Sequence, residues 1–148
     1  MIGSRNNMAS NKNYAKVPFI SIITVVFNNE DYIECCIKSV LAQDYSNFEY
    51  IIIDGNSTDE TLNIVNKYSD RINKIVSEKD SGIYEAFNKG IKYATGDYIG
   101  FLNSDDYYTD NKVLSEISKK LNIEKNNVLF SNIKIIDRKT EKVLRVQN

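Results

Sequence analysis

Apolar residues along this chain fall into two alternating rhythms. From Phe19 to Phe27 the run FISIITVVF is almost wholly apolar and β-branched, as expected of a strand buried on both faces of a parallel sheet. Behind it Ile33, Cys36, Ile37, Val40 and Leu41 recur at helical spacing, with Glu30 and Asp31 expected in the first turn, where the helix dipole favours acids. FEYIIID, Phe48 to Asp54, repeats the strand. Ser57 and Glu60 have capping-box spacing ahead of a helical face carrying Leu62, Val65 and Tyr68. A third pair runs from Ile72–Ser77 into a helix marked by Ile83, Phe87, Ile91 and Ala94. A fourth runs from Asp97–Leu102 into Val113, Leu114, Ile117 and Leu121. Asn127–Ile136 reads as a last strand, and DRKTEK before VLRV as a hairpin. The alternation predicts a doubly wound, mostly parallel α/β sheet of Rossmann-like type, whose ligands bind at the carboxyl ends of the strands.

Composition narrows the chemistry. The chain has 148 residues, the size of one domain, and a formal net charge of -1, so no broad field for nucleic acid or an acidic membrane surface is expected. Its two cysteines, Cys35 and Cys36, are sequence neighbours in a helical pattern, badly placed for a disulfide, which implies a reduced, cytoplasmic protein. There is no histidine, so proton transfer falls to carboxylates, Lys, Tyr or Cys. No apolar run reaches the length of a membrane span, which leaves peripheral association as the route to a membrane. Residues 1–16, rich in Asn and Ser and without a hydrophobic block, read as a disordered tail, and 17–148 as the domain.

The four strand ends carry FNNED, DGNSTDE, SEKDSG and NSDDYY. Each has an ordinary reading: Asn28 and Asn29 as helix caps, Asp54-Gly55 as a turn, Asp105-Asp106 as a cap or turn, Tyr107 and Tyr108 as loop packing. Their joint placement at one sheet edge favours a single site instead. Two carboxylates about 4 Å apart repel by about 4 kcal/mol at an effective dielectric of 20, so such a rim calls for a divalent cation. If the chain stays extended past Leu102, Asn103 and Asp105 point together and Asp106 points away, which makes Asp105 the expected metal ligand.

These stretches together resemble the inverting nucleotide-sugar glycosyltransferases of family 2, which have the GT-A fold. The likeness covers roughly Ile20 to Tyr108. SIITVVFNNEDYIECCIKSVLAQDY is similar to the family's strand, Tyr-Asn turn and Ser-(Ile/Val)-Leu-X-Gln helix. EYIIIDGNSTDET is similar to its Asp-(Asp/Gly)-X-Ser-Thr-Asp segment, in the Asp-Gly form. SEKDSGIYEAFNKGIKYATGDYIGFLNSDD is similar to the segment that leads to its Asp-X-Asp motif. The resemblance implies that Val25, Val26, Phe27 and Asn28 touch the base and ribose, with Glu30 beside them. It further implies that Asp54, Gly55 and Asp80 line the nucleotide pocket, that Asn88 and Lys89 face it, and that Asn103 and Ser104 belong to the donor site. Asp105 would bind Mg²⁺ or Mn²⁺, with Asn103 or Asp106 as alternative ligands.

Two departures stand out: Asn103 replaces the first Asp of Asp-X-Asp, and Gly55 stands where many members carry an aspartate. The family's general base lies well beyond the metal motif, and none is found in the forty or so residues after Asp106. The resemblance therefore implies the donor-binding part of a metal-assisted, UDP-linked sugar transferase acting on a glycan or lipid-linked acceptor, lacking most of its acceptor-binding region. The alternative is a non-catalytic nucleotide-binding or interaction module derived from such an enzyme. G-x-x-x-x-G-K-[ST] and G-x-G-x-x-G are absent, which argues against a nucleotidyltransferase phosphate loop.

Overall fold

A computed structural model describes residues 17–124, 133–136 and 143–147. Four parallel strands, β1 (Ile20–Val26), β2 (Phe48–Asp54), β3 (Lys74–Ser77) and β4 (Tyr98–Phe101), form a sheet in the order β3-β2-β1-β4. β1 and β2 are central, and every residue of β1 is buried. That burial on both faces explains why neither strand shows a polar-apolar alternation.

The helices divide between the two faces. α1 (Ile33–Leu41), α2 (Thr61–Asn66) and α4 (Val113–Glu124) pack over Ile20, Ile22, Tyr50 and Ile52. α3 (Ile83–Tyr93) covers Ile23, Val25, Ile51 and Ile53. Gly90 permits this close approach, because a Cβ there would lie 2.5 Å from Ile23 Cγ2. Since the chain leaves β1 toward one neighbour and later returns to its other side as β4, the order reverses between β1 and β4, and a crevice opens at their carboxyl ends. β5 (Ile133–Ile136) and β6 (Val143–Gln147) pair antiparallel as a separate two-stranded sheet, as a hairpin requires. Residues 1–16, the expected start of the last strand at 127–132 and the turn at 137–142 lie outside the described residues.

Three local expectations are corrected. Ser57 and Glu60 form no capping box: α2 starts at Thr61 with no side-chain cap, because the Ser57 hydroxyl is committed to Asp54. The backbone N–H of Glu60 is satisfied across space by Glu30 Oε2 at 2.7 Å. Glu30 and Asp31 precede α1 rather than occupying its first turn, which holds Glu34. The chain also does not stay extended past Leu102: β4 ends at Phe101, and Asp106 N–H donates to Asn103 C=O at 3.0 Å, closing a turn. Within that turn Asn103 Nδ2 donates to Asp106 Oδ2 at 3.3 Å, so Asn103 shares its side with Asp106, contrary to the extended-chain expectation.

Candidate functional site

One part of the rim is built around Asp54. This residue ends β2, is fully buried, and stands in register with Ser77 of β3 and Val26 of β1. Ser77 Oγ donates to Asp54 Oδ2 at 2.6 Å, while the Ser57 hydroxyl and backbone N–H reach back to the same carboxylate. A buried carboxylate without partners would be costly; here several donors hold it in one orientation. The next residue, Gly55, donates its N–H to Val26 C=O at 2.8 Å, which binds the β2 loop to the end of β1.

A pocket of roughly 410 Å³ opens beside this junction, lined by Phe27, Gly55, Asn56, Lys79, Asp80 and Gly82 among others. Phe27 is 62% exposed, an unusual position for a phenylalanine, and lines the pocket. Asp80 accepts from Gly82 N–H at 2.9 Å through Oδ1, and its Oδ2 lies 3.0 Å from where a Cβ on Gly55 would sit. Gly82, at φ +128, takes a backbone conformation that L side chains rarely adopt as the chain turns into α3.

Asn28 and Asn56 also have positive φ, 48 and 66, a region Asn enters more readily than most residues. Asn28 Oδ1 accepts from Thr58 N–H at 2.8 Å, and Asn28 N–H donates to Ser57 Oγ. The β1 and β2 loops are thereby stitched together. Asn29 extends the stitching: its N–H donates to Thr61 Oγ1 at 2.8 Å and its side-chain amide to Ser104 Oγ at 2.7 Å, spanning the crevice from β1 to β4.

The remaining expected residues divide. Val25 and Val26 are buried on opposite sheet faces. Glu30 holds the start of α2, and its N–H donates to Asp59. Asn88 is exposed on α3. The Lys89 ammonium is committed to Glu78 at 3.1 Å, Glu85 at 3.3 Å and Lys79 C=O. Hydrogen bonds from Ser81 and the charge of Lys89 hold the Glu85 carboxyl down at about 2. Asn29, Ser57 and Ser77 carry much of the geometry, although the sequence pattern marks Asn29 and Ser57 as caps and Ser77 only as the end of a strand. A signal for Ser77 lay in its strand-end position, which register places beside Asp54.

Ser104 is buried, whereas Asn103, Asp105 and Asp106 are exposed. Desolvation and the neighbouring charge of Asp105 raise the Asp106 carboxyl above the ordinary carboxylate value. An amide oxygen and two crowded carboxylates are hard donors that fit Mg²⁺ or Mn²⁺. Among the described residues no three acidic side chains converge as a cage, so an ion here would need further oxygens from its ligand.

The glycosyl transferase family 2 model matches residues 21–148, and the chain belongs to that family. It is 40% identical over 121 residues to the Escherichia coli UDP-Glc:alpha-D-GlcNAc-diphosphoundecaprenol beta-1,3-glucosyltransferase WfgD, covering 80% of this chain and 47% of that protein. A crystal structure of S. aureus TarS 1-349 in complex with UDP-GlcNAc matches with a TM-score of 0.63 and 31% identity, over 69% of this chain and 30% of that one. The PcManGT mannosyltransferase of Pyrobaculum calidifontis, at 22% identity and a TM-score of 0.65 over 70% of this chain and 32% of that one, shares the fold. The architecture is GT-A, and the chain spans under half the length of the curated relatives it matches.

Proposed function

We propose that this domain binds a nucleoside-diphosphate sugar, UDP-linked, in the pocket between Phe27, Gly55 and Asp80, for inverting transfer of the sugar to a glycan or lipid-linked acceptor. The observation that carries this reading is the junction itself. The carboxyl ends of β1, β2 and β3 meet at a fixed carboxylate, Asp54, beside a pocket that pairs an exposed aromatic face with a second carboxylate, Asp80. An aromatic face and acceptor oxygens suit a nucleobase with imide N–H donors. UDP-Glc in the name of WfgD and the UDP-GlcNAc bound in the TarS complex support uracil as that base.

In this reading Phe27 orients the base, Asp80 accepts from its N–H edge and Asn28 fixes the loop against which the ribose rests. The Asp-Gly form of the second motif suits such a pocket, since Gly55 leaves space for the Asp80 carboxylate. Asp105, with Asn103 or Asp106, would hold Mg²⁺ or Mn²⁺ against the diphosphate. That cation, when bound, supplies Lewis-acid stabilisation of the departing nucleoside diphosphate. Among the described residues no helix is long and apolar enough to cross a membrane. We place the reaction at the cytoplasmic face, with a lipid-linked acceptor reached peripherally.

Titration calorimetry with UDP-Glc, UDP-GlcNAc and GDP-Man tests the reading. The uridine donors should bind and GDP-Man should not; a chain that binds none of them refutes the donor site. Where transfer is obtained, proton NMR of the product should show the opposite anomeric configuration to the donor.

A further inference from the structure

Helix α1 and the residues just past its end carry a polar stripe. Cys36 and Ser39 of α1 and Gln43, two residues beyond Leu41, follow one another at helical spacing, and each bonds to the segment after β4. The Cys36 thiol donates to Asn103 C=O at 3.4 Å. Ser39 Oγ accepts from Tyr108 N–H at 3.1 Å. Gln43 works in both directions, donating from Nε2 to Asp110 C=O at 2.7 Å and accepting Leu114 N–H on Oε1 at 3.0 Å. Asp44 N–H adds a bond to Asn111 C=O at 2.8 Å. The stripe thus meets the connection from its first turn, Asn103 to Asp106, through to the start of α4.

The connection between β4 and α4 has no regular structure, so bonds from neighbouring elements bear on its position. Something outside the loop has to set its position.

We infer that Gln43 and Ser39 are positioning residues: through the backbone of residues 108–114 they hold the Asn103–Asp106 turn at the height where it meets the donor's diphosphate. Neither side chain touches the donor. The inference rests on the donor-site reading above and adds to it the element that aims the acidic turn.

The test uses Gln43→Met, which keeps side-chain volume while removing the bonds to Asp110 and Leu114 along with one to Ser39 C=O, and Ser39→Ala. Amide hydrogen exchange and calorimetry with UDP, each with and without Mn²⁺, are the readouts. Exchange should speed up across 103–114 and stay unchanged in β1 and β2. The affinity for UDP in Mn²⁺ should fall about tenfold, as expected for loss of one or two net hydrogen bonds, while the metal-free affinity holds within about twofold. Unchanged affinity in Mn²⁺ overturns the inference, as does an equal fall with and without metal, the mark of general damage. If Gln43→Met does not fold, Ser39→Ala is judged by the same two criteria. A wild-type chain that binds UDP in neither condition overturns the donor site and the positioning role with it, an outcome visible before any variant is made.

Discussion

Gly55 and Asp80 occupy each other's space: a Cβ on Gly55 would lie 3.0 Å from Asp80 Oδ2 and 3.3 Å from the Phe27 ring. The glycine is what allows the carboxylate and the ring to close on the same pocket. Gly55→Asp should therefore displace Asp80 and weaken uridine-nucleotide binding by about tenfold or more, the equivalent of a lost charged hydrogen bond, as read by calorimetry. Tighter binding by Gly55→Asp would mean that Asp80 does not serve the pocket.

Asp54 is both buried and fully engaged. Asp54→Ala should cost about 1–3 kcal/mol in urea unfolding, since it removes the buried carboxylate that accepts from both Ser57 and Ser77. Asp54→Asn keeps one acceptor oxygen and should cost less. Equal costs for the two would show that shape, not hydrogen bonding, governs the position.

On the opposite face, Gly90→Ala forces a methyl to within 2.5 Å of Ile23 Cγ2. Overpacking at such a contact typically costs about 1–3 kcal/mol, so the urea midpoint should fall, and the double variant with Ile23→Ala, which removes Cγ2, should be less destabilised than the sum of the two single changes. A neutral Gly90→Ala would mean that α3 shifts freely on the sheet.

The pH dependence has a definite sign at Glu49. Burial pushes this carboxyl up, but bonds from Ser21, Thr95 and Gly96 outweigh it and leave the folded value below the ordinary 4.5. A depressed carboxylate stabilises the fold at pH above its unfolded value and loses that contribution as pH falls through the folded one. Stability should thus decline as pH drops below about 4.5, and Glu49→Gln should flatten that part of the curve. An unchanged slope in Glu49→Gln would assign the decline to other carboxylates.

Much of the sheet was legible because burial on both faces leaves an unbroken apolar run, as in β1 and β2, and because helical spacing in α1 and α3 is regular. What sequence could not supply was the course of the chain between elements. Asn103 and Asp106 meet because a turn closes after Leu102, a three-dimensional event that alternation along a strand does not foresee. Ser57 matched a cap pattern, yet its hydroxyl is drawn away by Asp54, a residue that becomes its neighbour only when β2 ends where it does. Lys89 points along α3 to Glu85 and back to Glu78, ion pairs that a motif alignment does not reveal.

In the proposed site the rim holds a uridine nucleotide with a metal contact at Asp105. Thermal unfolding of the chain with saturating UDP, with and without Mn²⁺, for the native sequence and Asp105→Ala, tests it most directly. UDP should raise the native melting temperature, Mn²⁺ should raise it further, and Asp105→Ala should lose only the second increment, because binding to the folded state alone stabilises it by mass action. A native chain whose melting temperature does not move with UDP, or an Asp105→Ala variant that keeps the full Mn²⁺ increment, would contradict it.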